Sequence, residues 1–386
     1  MMLGFLLLGC SFLGIGAFAL YPIMLRFLAL FLKQSTHQDE QGSWSITVLL
    51  AVRNARPLLE EKLQNLRDAH WPGAVQILIY SDGSTDGTEE YLGEQNLPGM
   101  ELLVTEQHRG KAWCLSQMLP QCRGEILVFT DADALFAPDA VRCLTAHFAD
   151  PKVGGVCGQR FIRASNALVT PQQDYIGLDS WIKEAESALG SLTSNDGKLY
   201  AIRRHLARAV PGPVTDDLWE AMGVVIAGYR FVFEPGAWVS ISAPARNLSH
   251  EFSRRRRVVS TSLTGIWRSW QLLNPFRYGW YGPCLFINKV DRRLLPVWLL
   301  GLLVSCLILA PYHWLFVAAA GIQVCAYSAL VIYHFCGMTR IMPKSLGKLA
   351  DKCVYFLVGN LGMLLGLIDF LRGKTPSQWE PKKGSS

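Results

Sequence analysis

Hydrophobic positions are clustered along this chain. Residues 1–25 carry no charged side chain, and Arg26 and Lys33 follow them. About 20 residues at about 1.5 Å rise each suffice to cross a hydrocarbon core, so the spacing predicts a membrane span over 1–33. A signal peptide would place its basic residues first; here they follow, which predicts a retained anchor with its C-terminal end in the cytoplasm. Residues 294–339 contain no Asp, Glu, Lys or Arg, with a turn at Ala310-Pro311-Tyr312-His313. That length fits two spans. Arg292 and Arg293 precede the pair, and Arg340, Lys344, Lys348 and Lys352 follow it, so both ends should face the cytoplasm. A last apolar stretch, 353–368, is bounded by Asp351, Lys352 and Asp369 and reads equally as a third span or a re-entrant segment.

Between residues 43 and 249 the pattern changes. Short apolar runs rich in β-branched residues at 46–51, 75–80, 102–105 and 126–130 read as strands, with helical patterns between them. Pro57 opens one helix with Leu59, Leu63 and Leu66 on a single face, and Pro138 opens another with Val141, Leu144 and Phe148. This alternation predicts an α/β domain with a mostly parallel sheet and ligands bound beyond the carboxyl ends of its strands. Residues 250–290 mix arginines with Trp267, Trp270, Phe276, Tyr278, Trp280 and Tyr281, which suits interfacial amphipathic helices. The expected organisation is an anchor (1–33), a cytosolic α/β domain (43–249), interfacial helices (250–290), a C-terminal membrane region (291–371) and a basic tail (372–386).

Composition agrees. Half of the residues are apolar and 18% are charged, below the roughly 25% of soluble domains, with a net charge of +6. A disordered, collagen-like or disulfide-stapled chain is excluded. The ten cysteines form no C-x-x-C pair and read as buried hydrophobes.

Three acidic motifs fall at strand or helix ends: Ser81-Asp82-Gly83-Ser84-Thr85-Asp86-Gly87, Asp131-Ala132-Asp133 and Thr215-Asp216-Asp217. Singly they read as a turn with an N-cap, a chance D-x-D and a capped helix start. In this order, with Ala51-Val52-Arg53-Asn54 after the first strand, Arg109-Gly110-Lys111, Tyr200-Ala201-Ile202-Arg203-Arg204 and Phe233-Glu234-Pro235, the set resembles the family 2 glycosyltransferases of GT-A fold. The resemblance covers about residues 46–258 and includes membrane-integrated polysaccharide synthases (cellulose, chitin, hyaluronan, poly-N-acetylglucosamine) and ceramide glucosyltransferase. It implies a GT-A (Rossmann-like) sheet and an inverting transfer from a UDP-sugar. Ala51, Asn54, Asp82, Lys111 and Asp131 would then contact the donor, Asp133 would ligate Mg²⁺ or Mn²⁺, and Asp217 would be the catalytic base. Relatives carry Q-x-x-R-W after the domain. Here Arg254 stands at the Gln position, Arg257 matches the Arg, and Val258 replaces the Trp, so both arginines are expected at the donor. The bland reading of Arg254–Arg257 is a juxtamembrane cluster attracting anionic lipid.

The expected acceptor is a saccharide giving a β-linked polymer or oligosaccharide, with a membrane lipid as the alternative. Expected partners are membrane lipids and either a second copy or an export partner, with no nucleic acid, at the cytoplasmic face of a bacterial inner membrane. An inactive scaffold is disfavoured by the retained acids, and a dinucleotide oxidoreductase by Ala51-Val52-Arg53-Asn54-Ala55-Arg56 where G-x-G-x-x-G is required.

Overall fold

The computed structural model describes residues 1–163, 169–241, 248–335 and 344–374. Helices and strands run α1 (Met2–Leu32), β1 (Ile46–Val52), α2 (Arg56–Asp68), β2 (Val75–Asp82), α3 (Thr88–Gly93), β3 (Met100–Thr105), α4 (Lys111–Met118), β4 (Ile126–Thr130), β5 (Ala134–Phe136), α5 (Ala140–Ala146), β6 (Val153–Ile162) and α6 (Val169–Leu189). They continue with β7 (Leu199–Arg203), α7 (Asp216–Ile226), β8 (Arg230–Ile241), α8 (Leu248–Arg268), α9 (Pro275–Tyr278), α10 (Tyr281–Leu285), α11 (Arg292–Leu309), α12 (Trp314–Phe335) and α13 (Lys344–Leu371).

Eight strands form one sheet in the order β3-β2-β1-β4-β7-β6-β8-β5. β3, β2, β1 and β4 are mutually parallel, as are β6 and β8, whereas β7 runs antiparallel to both β4 and β6. The apolar runs are continuous because both faces are covered. Val48, Leu50 and Val52 of β1 join the core that holds Leu59, Leu63 and Leu66 of α2, while α4 also packs on β1 and β2. Burying each such leucine contributes about 1.5–3 kcal/mol. Pro138 lies before its helix, not at the first turn: α5 begins at Ala140, and Val141 and Leu144 are its buried face.

Chain order reverses direction from β1, which has β2 on one side and β4 on the other. That switch leaves a crevice beyond the carboxyl ends of β1 and β4, where ligands bind in open α/β sheets. Asn54, Asp82 and Asp131 lie at or just past the carboxyl ends of β1, β2 and β4.

Contacts divide the described residues into two compact units. One comprises 24–241 (less 164–168) with 264–285; the other comprises 1–23, 248–263, 286–335 and 344–374. Within the first, Trp267, Trp270 and Phe276 are exposed, Phe276 almost completely (99%). In the second, Gly14 sits against the Trp298 indole, and α11, α12 and α13 pack together. Gly362 and Gly366 of α13 face the α8 backbone: a Cβ on Gly366 would collide with the Arg256 carbonyl oxygen. Beside them Val259 and Leu263 pack with Met363.

Four helical stretches are long and apolar enough to cross a membrane: Met2–Leu32, Tyr281–Leu309, Trp314–Tyr333 and Leu349–Leu371. The expected segment 353–368 lies inside the last of these. Arg340, the side chains of Lys344 and Lys348, and the tail beyond Lys374, with Trp379, Lys382 and Lys383, lie outside the described residues. None of the nine described cysteines is joined in a disulfide, and Cys114, Cys122, Cys157, Cys284 and Cys306 are buried.

Candidate active site

The loops after β1 and β2 are laced together. Asn54 takes a left-handed backbone (φ 46°), which asparagine tolerates better than most residues. Its Oδ1 accepts the Thr85 N–H at 2.8 Å, and its own N–H donates to Ser84 Oγ at 3.1 Å. The next two backbone N–H groups, of Ala55 and Arg56, donate to Thr88 Oγ1 and Asp86 Oδ2. Ala51 pairs with Tyr80 in the sheet just behind this junction.

Asp82 ends β2 and is buried. Its carboxylate accepts the Arg109 N–H at 2.6 Å, the Gly110 N–H at 2.9 Å and a 2.7 Å bond from His108 Nδ1. Gly83 (φ 61°) makes this possible, since a Cβ there would lie 2.9 Å from the His108 nitrogen. Asp82 thus fixes the loop that leads into α4 and delivers Lys111.

Lys111 Nζ bridges Asp131 Oδ1 at 2.8 Å and Asp216 Oδ2 at 3.1 Å. Lys198 Nζ bridges the other oxygen of Asp131 at 3.0 Å and Asp133 Oδ1 at 2.7 Å. Burial alone would raise the Asp131 carboxyl, but the two ammonium groups outweigh it and hold the acid well below the usual range. Asp217 joins the cluster through the loop before β7: Gly197 N–H donates to its Oδ2 at 3.1 Å, and the Asn195 amide donates to its carbonyl at 3.1 Å. Its Oδ1 accepts the Leu218 N–H, making Asp217, not Thr215, the side chain that caps α7. Burial, with the neighbouring Asp216 charge, pushes Asp217 up to about 6. Beneath the loop, Asp196 pairs with Arg160 at 3.0 Å and anchors it to the sheet.

The structure therefore brings Lys111, Asp131, Asp133 and Asp217 together, with Asp82 and Asn54 ordering the loops alongside. Arg254 and Arg257 belong to the other compact unit. Arg254 there grips the buried Glu251 at 2.8 Å, as does Arg255 at 2.6 Å. Burial would raise Glu251, yet the two guanidinium groups draw it down to about 2.

Two residues were not anticipated. Lys198 precedes β7, and the antiparallel register that pairs Thr130 with Leu199 carries it opposite Asp131. Lys62 lies fully buried under the D-x-D turn, donating to Ala134 O at 2.6 Å and Thr130 Oγ1 at 3.2 Å, with the Phe136 ring 4.1 Å away. Burial lowers its amine to about 7, despite the opposing pull of Asp131 and Asp133. Its signal was the helical spacing itself: Lys62 is three residues past Leu59 and four before Leu66, on the apolar face.

Asp131 and Asp133 offer hard oxygen donors at partly exposed positions, the chemistry that Mg²⁺ and Mn²⁺ prefer. Among the described residues no group of three or more His, Cys, Asp or Glu side chains closes around a metal, so the acids fit a cation that takes its remaining ligands from substrate and water.

Known proteins give the same picture. The chain is 30% identical over 201 residues to a beta-monoglucosyldiacylglycerol synthase of Nostoc sp. (49% of this chain, 43% of that protein). It is 26% identical over 219 residues to the poly-beta-1,6-N-acetyl-D-glucosamine synthase of Staphylococcus epidermidis (55% and 52%). The chain thus spans about half the length of the curated relatives it matches. A mannosyltransferase from Pyrobaculum calidifontis, solved in complex with GDP-Man and Mn²⁺, superposes with a TM-score of 0.71 at 22% identity, covering 96% of this chain and 99% of that one, which shows a shared fold. Residues 47–209 match the family description Glycosyl transferase family 2, and the match lies over the mostly parallel sheet described above.

Proposed function

We propose that this chain is an inverting glycosyltransferase that moves a sugar from a UDP-sugar to a hydroxyl of a saccharide acceptor, building a β-linked polymer or oligosaccharide at the cytoplasmic face of a bacterial inner membrane. The observation that carries the reading is the single cluster joining the D-x-D acids to Asp217 through Lys111, Lys198 and the 195–198 loop.

A sugar hydroxyl is a poor nucleophile near neutral pH, so a carboxylate must accept its proton as the new bond forms. Asp217, raised to about 6, is still ionised at pH 7 and is basic enough for that transfer. As the bond to the anomeric carbon breaks, charge develops on the departing diphosphate. Lys111, fixed between Asp131 and Asp216, is the preorganised cation for that charge. Asp133 and Asp131 would hold Mg²⁺ or Mn²⁺, which when bound supplies further Lewis-acid stabilisation of the leaving group. One displacement inverts the anomeric centre, so an α-linked donor gives a β product. Asn54, Asp82 and Ala51 shape the side of the site toward the nucleoside. A second reading, transfer of one sugar to a membrane lipid, is favoured by the likeness to the diacylglycerol-directed synthase.

The full chain, purified in detergent, should be incubated with a panel of UDP-sugars and GDP-mannose, each with Mn²⁺ or Mg²⁺ and with saccharide or lipid acceptors, and the product sized. Turnover of a UDP-sugar into oligosaccharide supports the proposal, and a singly glycosylated lipid supports the second reading. Exclusive use of GDP-mannose would refute the assigned donor.

A further inference from the structure

We propose that Lys198 is a tethered cation that occupies the D-x-D acids in the absence of a metal and must leave them for a divalent ion to bind. The inference rests on the reading of Asp131 and Asp133 as the cation-holding acids. Lys198 Nζ is within 3.0 Å of Asp131 Oδ2 and 2.7 Å of Asp133 Oδ1, so one ammonium spans both acids of the motif. Lys111 does something different: it uses the remaining Asp131 oxygen and is held by Asp216 as well. Removing Lys198 from its place would free one oxygen on each D-x-D acid while Lys111 stays put.

The lysine is also built to move. Its side chain keeps 22% of its surface exposed, on a flexible four-carbon stem, so the ammonium can swing to water without unpacking the core. Lys62, by contrast, is wholly buried and donates to Thr130 and Ala134. A divalent ion and an ammonium cannot share the same two oxygens at close range, because like charges repel strongly there. Competition follows, and with no divalent ion bound the Lys198 ammonium offsets part of the repulsion between the two D-x-D acids.

The test measures binding, not turnover. Free Mn²⁺ is followed by its EPR signal as the full chain in detergent is titrated, with and without UDP. Lys198→Met should bind Mn²⁺ about tenfold more tightly than wild type, the scale of two partly exposed ion pairs lost together, whereas Lys198→Arg should stay near wild type. On the wild-type chain, saturating Mn²⁺ alone should increase acetylation of Lys198 by acetic anhydride, read by mass spectrometry, and this arm needs no variant to fold. Equal or weaker Mn²⁺ binding by Lys198→Met, or unchanged labelling of Lys198 on Mn²⁺ binding, would overturn the inference and leave the D-x-D assignment standing. Failure of wild type and variants alike to bind Mn²⁺, even with UDP, would overturn both.

Discussion

Replacing Lys62 by methionine isolates the buried amine beneath the D-x-D turn. In the unfolded chain this amine titrates at 10.5, and in the fold burial lowers it to about 7. Between those values the unfolded chain binds a proton that the folded chain does not, so stability must rise with pH across this window. Below about 7 both states are protonated and the contribution is flat at its least favourable. At 1.36 kcal/mol per unit, the gain from pH 7 to pH 9 amounts to about 2 kcal/mol, since the folded amine is already half deprotonated at the start. For a domain of about 200 residues that corresponds to about 4–8 °C in Tm. Methionine matches the stem and carries no titratable group, so Lys62→Met should lose this increment while every other titrating group contributes equally to both proteins. Thermal melts of the two full-length chains in the same detergent, at half-unit pH steps, give the difference curve. Parallel curves from pH 7 to 9 would refute the reasoning, for they would mean that Lys62 stays charged in the fold.

Asp217→Asn should lower turnover by about 10²–10⁴-fold with little change in donor KM, and wild-type turnover should climb through about pH 6 as Asp217 ionises; a flat profile there would remove it as the base. Asp82→Asn weakens an acceptor of two backbone N–H groups and His108, so a loss of about 1.5–3 kcal/mol is expected by thermal melt, together with a raised donor KM. Gly366→Leu forces a side chain against the Arg256 carbonyl and should destabilise the α8–α13 pair by about 1–3 kcal/mol, read as earlier proteolysis of the C-terminal helix.

What could be read in the sequence follows from what is local. β1, β2 and β4 are buried along nearly their whole length because helices cover both faces, and their ends carry Asn54, Asp82 and Asp131, so the strands and the motifs at their ends could be placed by pattern alone. β6 and β8 could not be paired in advance: they are parallel neighbours despite lying far apart, and their register shifts between Cys157 and Gln159. The same long-range register hides Lys198, whose place opposite Asp131 exists only once β7 turns antiparallel to β4. Lys62 was hidden for another reason. Its helix face was recognised by its leucines, and a lysine among them reads as solvated until the turn above it is seen to supply two acceptors. Thr215 was expected to cap α7, but the acid two residues on takes the free N–H itself.

The lacing of Asn54 to Ser84 and Thr85, extended by Asp86 and Thr88, gives the two sides of the crevice different stiffness. Four backbone N–H groups cross-stitch the strand-end loops, so the side proposed above for the nucleoside is held in place by the fold and loses less entropy when a ligand arrives. On the proposed assignment, selectivity for the base should accordingly behave like lock-and-key, with any adjustment to different sugars left to the opposite rim.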